Sequence, residues 1–246
     1  MKEKHTEKHG KIKTVNVGPA GEETNTVAKI QAFIEDNRNL VIGVSAGIII
    51  LVVGIFLLNN YIQEKEKENN ESASFALSFA QELYLGNDYE KALYGDSTKL
   101  VNNRPAPGLV EIVEKYEDTK PAKVAALYAG DCYFNLGDYD KAAKYFEIAT
   151  ESESPVIKEG AYAGLAVCSE IKGDFKQAAD NYEKAIAYAK TTEAKNRYEY
   201  FQAICYEKLG ETEKAELLYK KIIAEDVSEF VNLSKGALAR IGTKIE

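Results

Sequence analysis

The chain has 246 residues, 31 Lys and Arg against 39 Asp and Glu, 16 Tyr, no Trp and three Cys. Residues 1–59 hold seven basic and six acidic side chains and the remainder 24 and 33, so the larger part carries a net charge of −9. That balance repels phosphate backbones and argues against nucleic acid as a partner, while the Ala-, Leu-, Tyr-, Glu- and Lys-rich stretch after residue 70 favours helix.

Residues 1–26 are polar, with Gly18, Pro19, Ala20 and Gly21 in sequence, and read as a disordered arm. Over residues 27–39, Val27, Ile30, Phe33 and Ile34 recur at helical spacing between Lys29, Gln31, Glu35 and Asp36. That pattern predicts a short amphipathic helix lying in a headgroup layer or against a partner. Residues 40–58 contain no charge, and as a helix they would extend roughly 28 Å, close to the thickness of a hydrocarbon core. A signal peptide fits less well, since the run starts late and ends in Asn59, Asn60 and Tyr61 rather than at small residues. Residues 40–58 are therefore predicted to be a transmembrane helix, with Gly43, Ser45, Ala46 and Gly47 as a small face suited to packing on another span. Lys2, Lys4, Lys8, Lys11 and Lys13 bias the amino terminus to the cytoplasm. Residues 59–72 include Glu64, Lys65, Glu66, Lys67 and Glu68 and read as a charged helical stalk.

From residue 73 to 246 the sequence repeats itself. Gly137-Asp138-Tyr139-Asp140-Lys141-Ala142 aligns with Gly173-Asp174-Phe175-Lys176-Gln177-Ala178 and with Gly210-Glu211-Thr212-Glu213-Lys214-Ala215. The periods are 36 and 37. Each Gly should end one helix, the next residue should cap a second, and the Ala should let the two approach closely. Nine residues after the Gly stands an aromatic residue (Phe146, Tyr182, Tyr219), and seven before it Gly130, Ala166 or Ala203. This spacing resembles the tetratricopeptide repeat, whose unit is about 34 residues. The resemblance implies an all-α solenoid with three clear hairpins. Ala126 and Glu199 depart from its usual aromatic position. Upstream, residues 85–92 look like a fourth turn with one extra residue, completing a degenerate leading hairpin. A loop through Arg104, Pro105, Ala106 and Pro107 follows, then a short helix with Leu109, Ile112, Val113 and Tyr116. Phe230, Leu233, Leu238 and Ile241 predict a carboxy-terminal capping helix.

Cys132, Cys168 and Cys205 recur with the repeat period, each five residues before its Gly. Equivalent sites on stacked hairpins lie about 8–10 Å apart, beyond disulfide reach, so these read as small core residues with free thiols. Both histidines, His5 and His9, lie in the arm, leaving the repeats without a Ser-His or Cys-His pair or a His-based metal site. Glycines fall singly at turns, so no phosphate-cradling loop is formed. The chain is expected not to be an enzyme and to need no cofactor, metal or small-molecule substrate.

In this repeat class the first helix of each pair lines a concave face. Here it would present Leu127, Tyr128, Asp131 and Phe134, then Ala163, Val167, Glu170 and Ile171, then Tyr200, Phe201, Ile204 and Glu207. The set is mostly apolar and aromatic, suited to protein segments, although some members could equally be ordinary core. Lys and Asn, which grip a terminal carboxylate in the chaperone-tail type, are replaced here by Leu127 and Asp131.

Amphipathic segment, single span and hairpins together resemble bacterial single-span tetratricopeptide proteins whose best understood members are ancillary subunits of the SecYEG translocon. The resemblance covers residues 27–246. It implies an inner-membrane protein with a periplasmic stack that tethers chaperones or emerging secreted chains. An envelope-assembly or secretion-system scaffold, or an anchored non-catalytic subunit of another complex, fits the same layout.

Overall fold

The computed structural model describes residues 21–101 and 104–242. Most of the arm predicted at residues 1–26 thus lies outside the described residues, as do His5 and His9, and its last six residues belong to the first helix. The chain divides into two compact units, Met1–Ile62 and Gln63–Glu246.

In the first unit α1 (Gly21–Asp36) is separated from α2 (Arg38–Leu85) by Asn37 alone, whose Nδ2 donates to the Phe33 carbonyl at 3.0 Å. The amphipathic helix therefore begins six residues earlier than the apolar spacing indicated and ends at Asp36 rather than residue 39. Among the described residues α2 is the one helix long and apolar enough to cross a membrane, with a mean hydropathy of 3.0 over its most apolar window. Gly43, Ser45, Ala46 and Gly47 are exposed, and a Cβ placed on Gly43 or Gly47 would meet nothing within 4 Å.

The second unit is the hairpin stack. α2 runs without a break through the predicted stalk and supplies the first helix of the leading hairpin. Its Ala73, Ala76, Ala80 and Leu83 are buried at helical spacing. Then come α3 (Tyr89–Tyr94), β1 (Asp96–Val101), β2 (Arg104–Ala106) and α4 (Leu109–Lys115). Three regular hairpins follow: α5 (Lys120–Asn135) with α6 (Tyr139–Thr150), α7 (Pro155–Ile171) with α8 (Phe175–Tyr188), and α9 (Thr192–Lys208) with α10 (Thr212–Glu225). The last helix, α11 (Phe230–Arg240), packs on α9 and α10 and caps the stack.

One turn chemistry recurs four times. Gly137, Gly173 and Gly210 take positive φ (81°, 78° and 76°), a conformation in which a Cβ is strained. The next amide reaches back to the first helix, Asp138 N to Tyr133 O and Asp174 N to Ser169 O, both at 2.9 Å. Asp138 and Asp174 then cap the second helix by accepting from Lys141 N (3.1 Å) and Gln177 N (3.0 Å). Glu211 makes no such cap bond. In the leading hairpin the left-handed residue is Asn87 (φ 58°), with Asp88 N bonded to Leu83 O at 3.0 Å. Asn87 thus stands where the other turns have Gly, and the extra residue inferred from the sequence does not exist. Asn is the side chain that best tolerates this region after Gly.

A second departure follows in the same hairpin. Residues 104–106 of the expected loop form β2 of a small antiparallel β-hairpin with β1, so among the described residues the solenoid is all-α except for this insertion. Removing residues 96–108 from the numbering places Leu109 at the Phe146 position and Ile112 at the Ala149 position. All four are buried. α3 and α4 are the two halves of one second helix, looped out in the middle. Gly95 and Gly108 close the neck of the loop, since a Cβ on Gly108 would fall 2.4 Å from the Gly95 nitrogen.

The core is made by small residues meeting large ones. Ala92, Ala142, Ala178 and Ala215, five residues after each turn, are completely buried. The Phe146 ring lies between Gly130 on α5 and Gly164 on α7, and a Cβ on either would come within 2.6 Å of it. Leu93, Leu109, Ile112 and Phe146 fill one cluster, and Tyr182, Tyr219, Ile222 and Leu238 continue the core to the cap.

Candidate protein-binding surface

The first helices α5, α7 and α9 start at Thr119, Ser154-Pro155 and Thr191, where Thr or Ser precedes the helix and Pro stands in the first turns of α5 and α7. Their common register puts the predicted residues ten, nine, six or three residues before each turn, except Ile171, which stands two before Gly173. None of them is fully buried: Leu127, Tyr128, Asp131, Phe134, Ala163, Val167, Glu170, Tyr200, Phe201, Ile204 and Glu207 are half-buried and Ile171 is 47% exposed. They divide by what they touch.

The acids are engaged within the stack. Asp131 accepts from the Tyr84 hydroxyl at 3.2 Å, and burial raises its carboxyl above the usual carboxylate range. Glu170 accepts from the Tyr182 hydroxyl and the Cys205 thiol, each at 3.2 Å. Glu207 accepts from the Tyr219 hydroxyl and from Arg240 at 2.8 Å. Burial, with these carboxylates beside them, raises the Tyr84, Tyr182 and Tyr219 hydroxyls well above the usual phenol range.

Two predicted aromatics are also committed. The Tyr200 ring lies 5.7 Å from Tyr219 and 5.5 Å from Phe230, and Phe201 lies 5.9 Å from Tyr182. Both pack against buried clusters. Ile171, exposed, and Ile204, half-buried, are the apolar members of the set that pack against none of these buried clusters. Beside Ile171 a shallow cavity of about 540 Å³ opens between two turns, lined by Leu136, Tyr139 and Lys172 among others.

The residue spacing missed α2 as a contributor. Tyr84 stacks on Tyr128 at 4.6 Å between ring centres, and Gln81 Nε2 donates to the Tyr128 hydroxyl at 3.3 Å. With Leu77 they extend the surface by one helix. Counting back from Asn87 rather than Gly86 would have found them.

Cys132, Cys168 and Cys205 are buried free thiols, in line with the repeat register. Burial pushes Cys132 up to about 12 and Cys168 to about 11, and the Glu170 carboxylate helps raise Cys205 further still. Glu199, which occupies an aromatic position of the repeat, is buried and pairs with Lys221, while its Oε2 has no partner. Among the described residues no group of three or more His, Cys, Asp or Glu could hold a metal ion.

Comparison with known proteins gives partial likenesses. A domain of unknown function, DUF6340, matches residues 128–211, about a third of the chain. The 26S proteasome regulatory subunit RPN2 of Eremothecium gossypii is 33% identical over 78 residues, which is 31% of this chain and 8% of that protein, so the match spans a small part of that relative. Among solved structures, the TPR domain of Arabidopsis FLU is 24% identical with a TM-score of 0.38, covering 42% of this chain and 92% of that one. Two structures of MamA are 18% and 16% identical, with TM-scores of 0.42 and 0.48. They cover 48% and 63% of this chain and 65% and 73% of theirs. By its own repeat geometry, the second unit is a tetratricopeptide-type solenoid.

Proposed function

We propose that this chain is a membrane-anchored protein-binding module that catalyses no reaction. Residues 40–58 are its span, and the first-helix face of the stack is its binding surface. The observation that carries this reading is the pair Ile171 and Ile204, apolar side chains at groove positions that the hairpins leave outside their own core. Cys132 and Cys168 are buried, and burial raises their thiols above the ordinary range, the reverse of the lowered thiol that nucleophilic chemistry uses. The mechanism is tethering: a modest groove affinity acts at the high local concentration that a membrane anchor imposes.

The layout is similar to that of SecYEG-associated proteins, and the finer reading follows it: an inner-membrane ancillary subunit, amino terminus cytoplasmic and stack periplasmic, holding chaperones or emerging chains. Purification of the full-length protein in mild detergent, with mass spectrometry of what accompanies it, tests this. Translocon subunits enriched over a control with an unrelated span, and soluble clients lost from an Ile171→Asp/Ile204→Asp variant, support both parts. Wall-synthesis or secretion components in place of translocon subunits would remove the translocon assignment. Clients unchanged by the double variant would remove the groove assignment.

A further inference from the structure

Among the described residues of its unit, none covers the amphipathic face of α1. Val27, Ile30, Phe33 and Ile34 fall on one side of the helix, and all four are between 43 and 59% exposed. Lys29, Gln31, Glu35 and Asp36 alternate with them. The apolar run of α2 begins within four residues of Asp36, after Asn37, and belongs to the same unit. At the junction the backbone amide and Nδ2 of Asn37 both donate to the Phe33 carbonyl, each at 3.0 Å.

We infer that α1 is an interfacial helix whose Val27, Ile30, Phe33 and Ile34 face seats in the headgroup–acyl boundary of the bilayer that α2 crosses. This rests on the reading of residues 40–58 as a span. Lipid is favoured over a protein partner because the face adjoins an apolar helix segment, residues 40–58, in which every residue but half-buried Val41 is exposed. Charge also sets the lipid class. α1 carries Glu22, Glu23, Glu35 and Asp36 against Lys29 alone, a net charge of −3, so it draws nothing from anionic lipid and its seating is held by apolar burial.

The sequence holds no Trp, so a single introduced Trp is an unambiguous reporter. Full-length Phe33→Trp, Gln31→Trp and Ile49→Trp are each reconstituted in phosphatidylcholine vesicles carrying bromine either near the headgroup or deep in the acyl chain. Phe33→Trp should emit at shorter wavelength than Gln31→Trp and be quenched several-fold more by shallow than by deep bromine. Raised salt should leave that quenching unchanged. Equal quenching of Phe33→Trp and Gln31→Trp would overturn the inference, as would a blue-shifted but unquenched Phe33→Trp, which would mean protein covers the face. Ile49→Trp separates the two failures: unquenched by deep bromine, it sinks the span itself, whereas a quenched Ile49→Trp beside an unquenched Phe33→Trp sinks only the interfacial seating.

Discussion

The Tyr182 hydroxyl donates to the Glu170 carboxylate at 3.2 Å, and one repeat later Tyr219 donates to Glu207. In both cases the tyrosine follows its glutamate by twelve residues and joins the two helices of one hairpin. The preceding hairpin has Phe146 and Phe134 at these positions, so both partners are apolar there. The pair is exchanged as a unit because a buried hydroxyl without an acceptor, or a carboxylate without its donor, costs more than two apolar rings.

Breaking one half should therefore be worse than replacing both. Tyr182→Phe is expected to cost about 1.5 kcal/mol, the range for a hydrogen bond to a charged group. Tyr182→Phe with Glu170→Phe should recover part of that loss. Thermal unfolding followed by circular dichroism measures both, and strictly additive losses would show that the bond does not couple the helices.

Phe146 packs closely between Gly130 and Gly164. Phe146→Ala should cost about 3–5 kcal/mol through lost burial and the cavity left behind. Gly164→Ala places a methyl about 2.6 Å from the ring and should destabilise by roughly 1–3 kcal/mol. Phe146→Leu in the Gly164→Ala background should lose less than the two single changes together, as seen in a double-mutant cycle by urea unfolding.

Asp131 should make the stack less stable as pH rises. Burial raises its folded-state pKa above the unfolded value, so the folded chain binds the proton more tightly. Its contribution is fully present below the unfolded pKa and is lost as pH climbs through the folded one. Asp131→Asn keeps an acceptor for the Tyr84 hydroxyl and removes the buried charge. Its melting temperature should exceed that of the parent at pH 7, with the gap closing towards pH 4. A gap that widened on acidification would reverse the sign assigned here.

Deleting residues 96–108 should join α3 to α4 as one helix. Leu109 and Ile112 already occupy the positions of Phe146 and Ala149, so the shortened chain keeps its core contacts. We expect mean residue ellipticity at 222 nm to rise and the melting temperature to change little. Loss of cooperative melting would mean that buried Asp96 and Ala106 anchor the hairpin rather than merely close it.

The groove residues should separate by readout. Tyr200→Ala with Phe201→Ala removes rings packed on Tyr219, Phe230 and Tyr182, and should lower the melting temperature by several degrees. Ile171→Ser with Ile204→Ser should lower the melting temperature less than the aromatic pair does, since neither isoleucine packs on a buried cluster, and should weaken capture of partner proteins. Equal melting of the two double variants would mean that the aromatic pair is not core.

The sequence by itself determined the repeat and its chemistry. Gly at three turns, Asp at two caps, Ala five residues on and an aromatic nine on are local or periodic requirements, set by left-handed backbone, orphan amides and close helix approach. The phase of the cysteines made them core for the same reason. Tertiary structure decided what periodicity does not carry. Asn87 stands in for Gly because two residue types satisfy one backbone angle, and only the positive φ shows which residue bears it. The split second helix hides in sequence because its halves are separated by an insertion whose two strands pair with each other. At the groove, a half-exposed Tyr and a half-exposed Ile look alike along one helix face. Tyr200 packs on the core because Tyr219 and Phe230, from other helices, reach its ring.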